Sequence, residues 1–344
     1  MIRLLRPLAT LGALGTACLC LSCAGTPSDP SAPLRWDLLM QAQPAILGPS
    51  PPQTVGPAVQ AYLKQWKSRL KDISYTQTVL TLPSDGRFLG MNVFQVPEKP
   101  RGTLFQLHGY LANSLTFAGI DGVFLKQAWT VTALDLPGHG MSQGPRADVD
   151  VWSRYGDAVR DWLAWAARYP KVFPRPWVIV AHSLGGSAVI DYYHRRPALI
   201  ADRTILAAPL IHPTWYTWEG IGFFLIGWFV PSLPPVVAPE DYLSITSFPT
   251  HWFAALQAWN ARKNHWRPWS VPQGAVYQGT NDSVVDGAYD VPWVEKEFPG
   301  FESYWLKGAT HEFLTQPDQE KEAWEILLKD LARHGLPVTL KGTP

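Results

Sequence analysis

From residue 73 onward, short runs of apolar and β-branched residues alternate with longer stretches whose apolar positions recur at helical spacing. Strands are expected at 74–82, 87–96, 103–107, 130–134, 177–181, 203–207, 274–277 and 303–306. Helices are expected at 151–168, 184–195 and 319–334. This alternation constrains the fold more than any other feature. Strand, helix and strand in succession require a mostly parallel sheet covered on both faces. The first two strands flank Ser84-Asp85-Gly86 and read as a hairpin. The fold class is therefore α/β, with eight strands flanked by helices. In such sheets the reactive groups belong at the carboxyl ends of the strands.

The 344 residues suffice for one large domain carrying an insertion. A hydrophobic fraction of 47% is not a disordered composition. A formal charge of +1 excludes a nucleic-acid-binding surface that dominates the protein, and no nucleic-acid partner is expected. No internal repeat is visible.

The first 23 residues read as an export signal, with Arg3 and Arg6 in a basic n-region and an uncharged stretch from Leu8 to Leu21. That stretch is too short and too rich in Gly and Ala to be a spanning helix. Cys20-Leu21-Ser22-Cys23-Ala24-Gly25 resembles a bacterial lipoprotein lipobox, with Cys in place of the usual Leu three positions before Cys23. The resemblance implies lipidation at Cys23; Cys18 is a second candidate, and plain cleavage after Ala24 is the alternative. Cys18, Cys20 and Cys23 are the only cysteines, so the body of the chain has no disulfide and no cysteine metal site. Loss of Arg3 and Arg6 moves the formal charge to about −1. Residues 24–56, rich in Pro, Ser and Ala, have a tether composition. The expectation is an envelope protein held by an N-terminal lipid anchor, or one simply secreted. By resemblance to enterobacterial sorting, the absence of Asp after Cys23 suggests the outer membrane.

Four motifs each follow an expected strand. Ala181-His182-Ser183-Leu184-Gly185-Gly186 sits between the strand at 177–181 and a helix, with Ser183 at the apex. Leu107-His108-Gly109-Tyr110 follows an earlier strand. Tyr277-Gln278-Gly279-Thr280-Asn281-Asp282-Ser283-Val284-Val285 and Gly308-Ala309-Thr310-His311-Glu312-Phe313 follow the last two. Taken in chain order, they resemble the α/β-hydrolase family, over residues 73–334. The elbow departs from Gly-x-Ser-x-Gly only in Ala181.

The resemblance implies Ser183 as nucleophile, Asp282 as triad acid and His311 as base, in the family's chain order. Asp286 and Asp290 are alternatives for the acid, in the same loop but past the family position. The backbone amides of Tyr110 and Leu184 would form the oxyanion hole, each donor contributing about 3 kcal/mol to the transition state. His182 adjoins the nucleophile and should point away from it. His108 is expected to order the oxyanion loop. Asp135-Leu136-Pro137-Gly138-His139-Gly140-Met141-Ser142 resembles a family turn in which Asp135 and His139 shape the loop. No HExxH pattern occurs, and neither metal nor cofactor is expected. Haloalkane dehalogenases and epoxide hydrolases of this fold use Asp at the elbow, so acyl transfer to water is the implied reaction.

About 60 residues separate the strands at 203–207 and 274–277, too many for a simple connection. The expected organisation is a core at 57–211, a cap at 212–269, a second part of the core at 270–336 and a tail at 337–344. The apolar run at 221–230 reads equally as a buried cap helix or an interfacial surface. Seven of the 17 tryptophans fall in the cap: Trp215, Trp218, Trp228, Trp252, Trp259, Trp266 and Trp269. They read as an aromatic lid against acyl chains or lipid, with Trp215, Trp218, Phe224 and Trp228 as substrate contacts. The other ten, including Trp162, Trp177 and Trp305, read as packing. The cap has few acids (Glu219, Glu240 and Asp241), which argues against a pocket for a substrate ammonium.

The pattern, with Met141-Ser142-Gln143-Gly144-Pro145-Arg146, resembles the monoacylglycerol lipase and lysophospholipase branch, grouped with the serine aminopeptidase-like hydrolases. It implies a serine esterase for lysophospholipids or monoacylglycerols. A general carboxylesterase, an S33-type peptidase and a catalytically idle envelope binding protein are the alternatives.

Overall fold

The computed structural model describes residues 57–214, 232–233, 248–263 and 265–340. The signal, Cys23, the tether, and Trp215, Trp218, Phe224 and Trp228 in the cap lie outside the described residues.

The strands are β1 (Thr76–Ser84), β2 (Arg87–Gln95), β3 (Thr103–Leu107), β4 (Thr130–Leu134), β5 (Trp177–His182), β6 (Arg203–Ala207), β7 (Ser232–Leu233), β8 (Phe248–Pro249), β9 (Gly274–Gly279) and β10 (Phe301–Leu306). Eight form one sheet in the order β1-β2-β4-β3-β5-β6-β9-β10; β7 and β8 pair separately. Strand β2 runs antiparallel to both its neighbours, and the ladder from β4 to β10 is parallel throughout. Every residue of β3, β4, β5, β6 and β9 is buried. That is why these strands read as continuous apolar runs rather than alternating ones. The expected hairpin closes at Asp85 (φ 46°) and Gly86 (φ 72°), both left-handed as a two-residue turn requires.

The helices are α1 (Pro57–Arg69), α2 (Ala118–Leu125), α3 (Ser153–Ala166), α4 (Leu184–His194), α5 (Thr250–Lys263), α6 (Gly287–Glu297) and α7 (Glu320–Arg333). Helices α3, α4 and α7 lie within the expected spans. Helix α7 is fastened to the sheet by Asp330, whose carboxylate accepts two hydrogen bonds from Arg203 of β6, at 2.9 and 2.8 Å. Part of the expected tail is fastened too: the Trp129 indole donates to the Pro337 carbonyl, and the Thr339 amide to Gln127.

One packing expectation is corrected. Trp305 is 48% exposed, because β10 is the edge strand and leaves both of its faces partly open, Glu302 on one and Trp305 on the other. Trp162 and Trp177 are buried as expected.

Strands β3, β5, β9 and β10 end on the same edge of the sheet. The segments that follow them begin at His108, Ser183, Thr280 and Lys307. Among the described residues no helix is long and apolar enough to cross a membrane.

Candidate active site

Ser183 stands between the last residue of β5 and the first of α4, with φ +49° and ψ −112°. A serine adopts this conformation only when its surroundings impose it. Its amide donates to the Ala207 carbonyl at the end of β6 (2.9 Å). Its carbonyl accepts the amides of Leu210 (3.0 Å) and Ser187 (3.1 Å). The turn also needs small neighbours. A Cβ at Gly185 would lie 2.8 Å from the His108 carbonyl oxygen and 2.8 Å from Leu107 Cβ. Ala181, fully buried on β5, takes the position where the resemblance would place glycine. Ser183 is 4% exposed, and its hydroxyl makes no hydrogen bond among the described residues.

The segment after β3 lies against the elbow. A Cβ at Gly109 would meet His182 Nδ1 at 2.8 Å and Ser183 Cβ at 3.3 Å, so only glycine lets the backbone pass this close. The Gly185 amide donates to the His108 carbonyl (3.1 Å), tying the start of α4 to this segment. The amides of Tyr110 and Leu184 therefore belong to two segments bound to one another beside Ser183. Leu184 is the first residue of α4, whose leading amides have no partner within the helix.

His108 braces the segment after β3. Its Nδ1 donates to the Gly109 carbonyl (2.7 Å) and its Nε2 accepts the Leu136 amide (2.9 Å). Burial lowers its pKa to about 4, so the ring is neutral. Asp135 holds the neighbouring turn by accepting the amides of Ser114 (2.7 Å) and Met141 (2.8 Å). His139 donates to the Pro137 carbonyl (2.9 Å). Both sit in the turn rather than against Ser183.

His311 follows β10 and is 6% exposed. Its Nδ1 donates to Asp282 Oδ2 at 2.8 Å. Of the three candidate carboxylates, Asp282 is the one in contact with His311; Asp290 lies not in the loop but in α6. Asp286 caps α6 by accepting the Tyr289 amide (3.2 Å), and Asp290 accepts the His212 amide (2.9 Å). Burial would lower the His311 pKa, but the hydrogen bond and charge of Asp282, with Glu312, raise it above 6.5. Asp282 shows the converse: burial would raise it, and His311 with the amides of Val284 and Val285 lowers it. His182 Nε2 donates to the His311 carbonyl at 3.0 Å, so this neighbour of the nucleophile supports the backbone of His311. Two acid and histidine groups bring ligand atoms within 4.8 Å of one another, His182/His311/Glu312 and Glu302/Asp330/His334. In the first, His182 Nε2 and His311 Nδ1 are already engaged in the contacts above. In the second, Arg203 holds Asp330 and lies 3.7 Å from Glu302, leaving a poor seat for a cation.

The cap tryptophans that are described pack against the core. Trp252, Leu256, Trp259 and Lys263 form one buried face of α5, turned toward the core. Trp252 stacks on Tyr110 (3.9 Å between centroids, 21° between planes), and its indole donates to Tyr155 of α3 (3.1 Å). Trp259 donates to Asp191 of α4 (2.9 Å). Trp266 stacks on His194 (3.7 Å), and Trp269 approaches Tyr193 (6.3 Å). Trp252 and Trp259 thus seat α5 on α3 and α4. The spacing 252, 256, 259, 263 carries that signal in the sequence, as one helical stripe. Lys263 closes the stripe by donating to the Tyr289 hydroxyl of α6 (2.7 Å).

A family model described as serine aminopeptidase, S33, matches residues 98–250. An uncharacterized protein of Mycobacterium tuberculosis (strain ATCC 25618 / H37Rv) is 39% identical over 102 residues, 30% of this chain and 27% of that protein. The monoacylglycerol lipase of Mycolicibacterium smegmatis is 29% identical over 113 residues, 33% of this chain and 39% of the lipase. The chain thus spans well under half the length of these relatives. A soluble variant of monoglyceride lipase from Saccharomyces cerevisiae superposes with a TM-score of 0.61 at 15% identity, over 75% of this chain and 95% of that one. At that identity the likeness is one of fold, and the fold is that of the α/β hydrolases.

If Trp252 seats the cap helix, Trp252→Ala lowers stability by about 3–5 kcal/mol. Amide exchange should then rise across Thr250–Lys263 while β3 and β5 stay protected. Equal exchange in α5 before and after the substitution would contradict this role.

Proposed function

We propose that this chain is a serine hydrolase that cleaves carboxylic esters, with Ser183 as nucleophile, His311 as base and Asp282 as its orienting acid. One observation carries the reading. A strained Ser183 at a strand-to-helix turn shares the sheet edge with a buried His311 bonded to Asp282 at 2.8 Å. The lipase names of the relatives support the esterase or lipase class.

The chemistry follows from the groups. A serine hydroxyl requires a base, and the base requires an anion to fix its tautomer. Asp282 holds the proton on His311 Nδ1, leaving Nε2 to take the Ser183 proton as Oγ attacks the ester carbonyl. The amides of Tyr110 and Leu184 receive the developing oxyanion. His311 then returns the proton to the leaving alcohol, and water repeats the sequence to release the acid from Ser183.

The substrate class we propose is a monoacyl lipid, a lysophospholipid or monoacylglycerol. The apolar run at 221–230 and the lipase relatives favour it. The family description favours a second reading, cleavage of peptide amides. A fluorophosphonate probe should label the wild type and not Ser183→Ala. Absence of wild-type labelling would sink the enzyme reading and favour a binding protein. Fatty acid should be released from lysophosphatidylcholine and monoacylglycerol faster than p-nitrophenyl acetate is cleaved. Preference for acetate without lysolipid turnover points to a general carboxylesterase, and turnover of amino-acid amides to a peptidase.

The rate should report His311 directly. Its pKa is raised in the folded protein, so kcat/KM should fall with decreasing pH at a midpoint above 6.5. Asp282→Asn should lower kcat by about 10³- to 10⁴-fold and move that midpoint down. A wild-type midpoint below 6.5 contradicts the pairing.

We place the enzyme at a bacterial cell envelope, anchored through Cys23, on the resemblance of Leu21-Ser22-Cys23 to a lipobox. Cells fed labelled palmitate should incorporate it into the wild type and not into Cys23→Ser. Equal incorporation, or none in either, removes the anchor.

A further inference from the structure

The Asp282 carboxylate accepts four hydrogen bonds, and one donor is neither backbone nor histidine. Oδ1 accepts the amides of Val284 (2.8 Å) and Val285 (3.1 Å). Oδ2 accepts His311 Nδ1–H at 2.8 Å and the side-chain amide of Gln278, also at 2.8 Å. Gln278 is the fifth residue of β9 and is 1% exposed. Chemistry fixes its orientation. A flipped amide would set Oε1 against Asp282 Oδ2, two acceptors facing each other. Its other contact, to the Gly279 carbonyl, is long at 3.4 Å, and its buried Oε1 has no partner. For packing alone this is a wasteful arrangement, since an apolar side chain would leave no orphaned oxygen. The start of α6 also confines it: a Cβ at Gly287 would lie 2.5 Å from Gln278 Cγ.

We propose that Gln278 is a positioning residue for the acid–base pair: its amide pins Asp282 Oδ2 beside His311 and, by sharing that oxygen, moderates how strongly Asp282 holds His311 protonated. The proposal rests on the reading of Ser183, His311 and Asp282 as a triad. The terminal torsion of an aspartate is broad, so amides on Oδ1 alone leave Oδ2 free to swing. A donor on Oδ2 removes that freedom. It also withdraws electron density, so the same oxygen offers less to the imidazolium. Removing the Gln278 amide should make His311 more basic and place it less well. The groups facing His311 are Asp282 from the loop after β9, His182 from β5 and Glu312 beside it. The variants below leave all three unchanged.

The test is an NMR titration of ¹⁵N-imidazole-labelled full-length chain, alongside kcat and KM on a p-nitrophenyl ester. The His311 signal is assigned by its loss in His311→Gln. In Gln278→Leu the His311 midpoint should rise by about half a pH unit, and kcat should fall about tenfold at unchanged KM. Gln278→Glu, which brings a second carboxylate against Asp282, should raise the midpoint further. Midpoint and kcat unchanged in both variants would overturn the proposal, and a lowered Tm with neither moved would mark Gln278 as packing. The titration needs no turnover. An inactive wild type, or an active Ser183→Ala, would therefore overturn the proposed function while the His311 midpoint still decides on Gln278.

Discussion

The left-handed backbone of Ser183 is the constraint from which the rest of the arrangement follows. A non-glycine residue in such a conformation costs about 1–3 kcal/mol, and the surrounding structure must supply it. Here β6 supplies it through the Ala207 carbonyl, the segment after β6 through the Leu210 amide, and the segment after β3 by lying against Ser183 Cβ. Strand β5 is hydrogen-bonded on both sides, to β3 and β6, and every one of its residues is buried. The serine is thus presented by a strand held on both sides, and its neighbours are fixed relative to it without any contact to the hydroxyl.

Electrostatics then separates four buried histidines that look alike in the sequence. His108, His139 and His182 are pushed down by burial and remain neutral, each with a ring nitrogen spent on a backbone carbonyl. His311 alone among them meets a carboxylate, and it alone is raised. The acids divide the same way. Burial brings Asp135 up to about 6 although two amides oppose it, whereas Asp282, with His311 and two amides, is lowered. Environments that push like groups apart in this manner are the kind from which acid and base roles can be read.

Much of this was legible in the chain. The strands β3, β4 and β6 coincide with their expected spans because strands buried on both faces carry an uninterrupted apolar run. The edge strand β10 begins two residues earlier than expected, since Glu302 points to solvent and breaks the run. Helix α2 was not foreseen: seven of its eight residues are buried, so it has no polar face to betray a helical period. Helix α6 was concealed by Pro292 inside it. The loops carrying Ser183, Asp282 and His311 were legible because close packing and charge restrict their residue types. The contact of Gln278 with Asp282 was not, because a glutamine before a loop has no pattern to mark it. The tryptophans are ambiguous for a different reason. A ring suited to lipid is equally suited to packing, and only the register of α5 distinguishes the two uses.

The root of the cap is stitched to the loop that bears Asp282. The Thr214 amide and hydroxyl donate to the Val284 and Ser283 carbonyls, and the Asp286 amide donates to the His212 carbonyl. Pro213 forms a bridge with Val285. Val284 and Val285 are the residues whose amides hold Asp282 Oδ1. Modularity is limited by this seam. A cap grafted from a relative at residue 212 would exchange half of a small two-ply ribbon, and with it the frame of Asp282. The unit that can be traded intact between such proteins is the cap root together with residues 283–286, so substitutions on one ply are expected to be accommodated on the other.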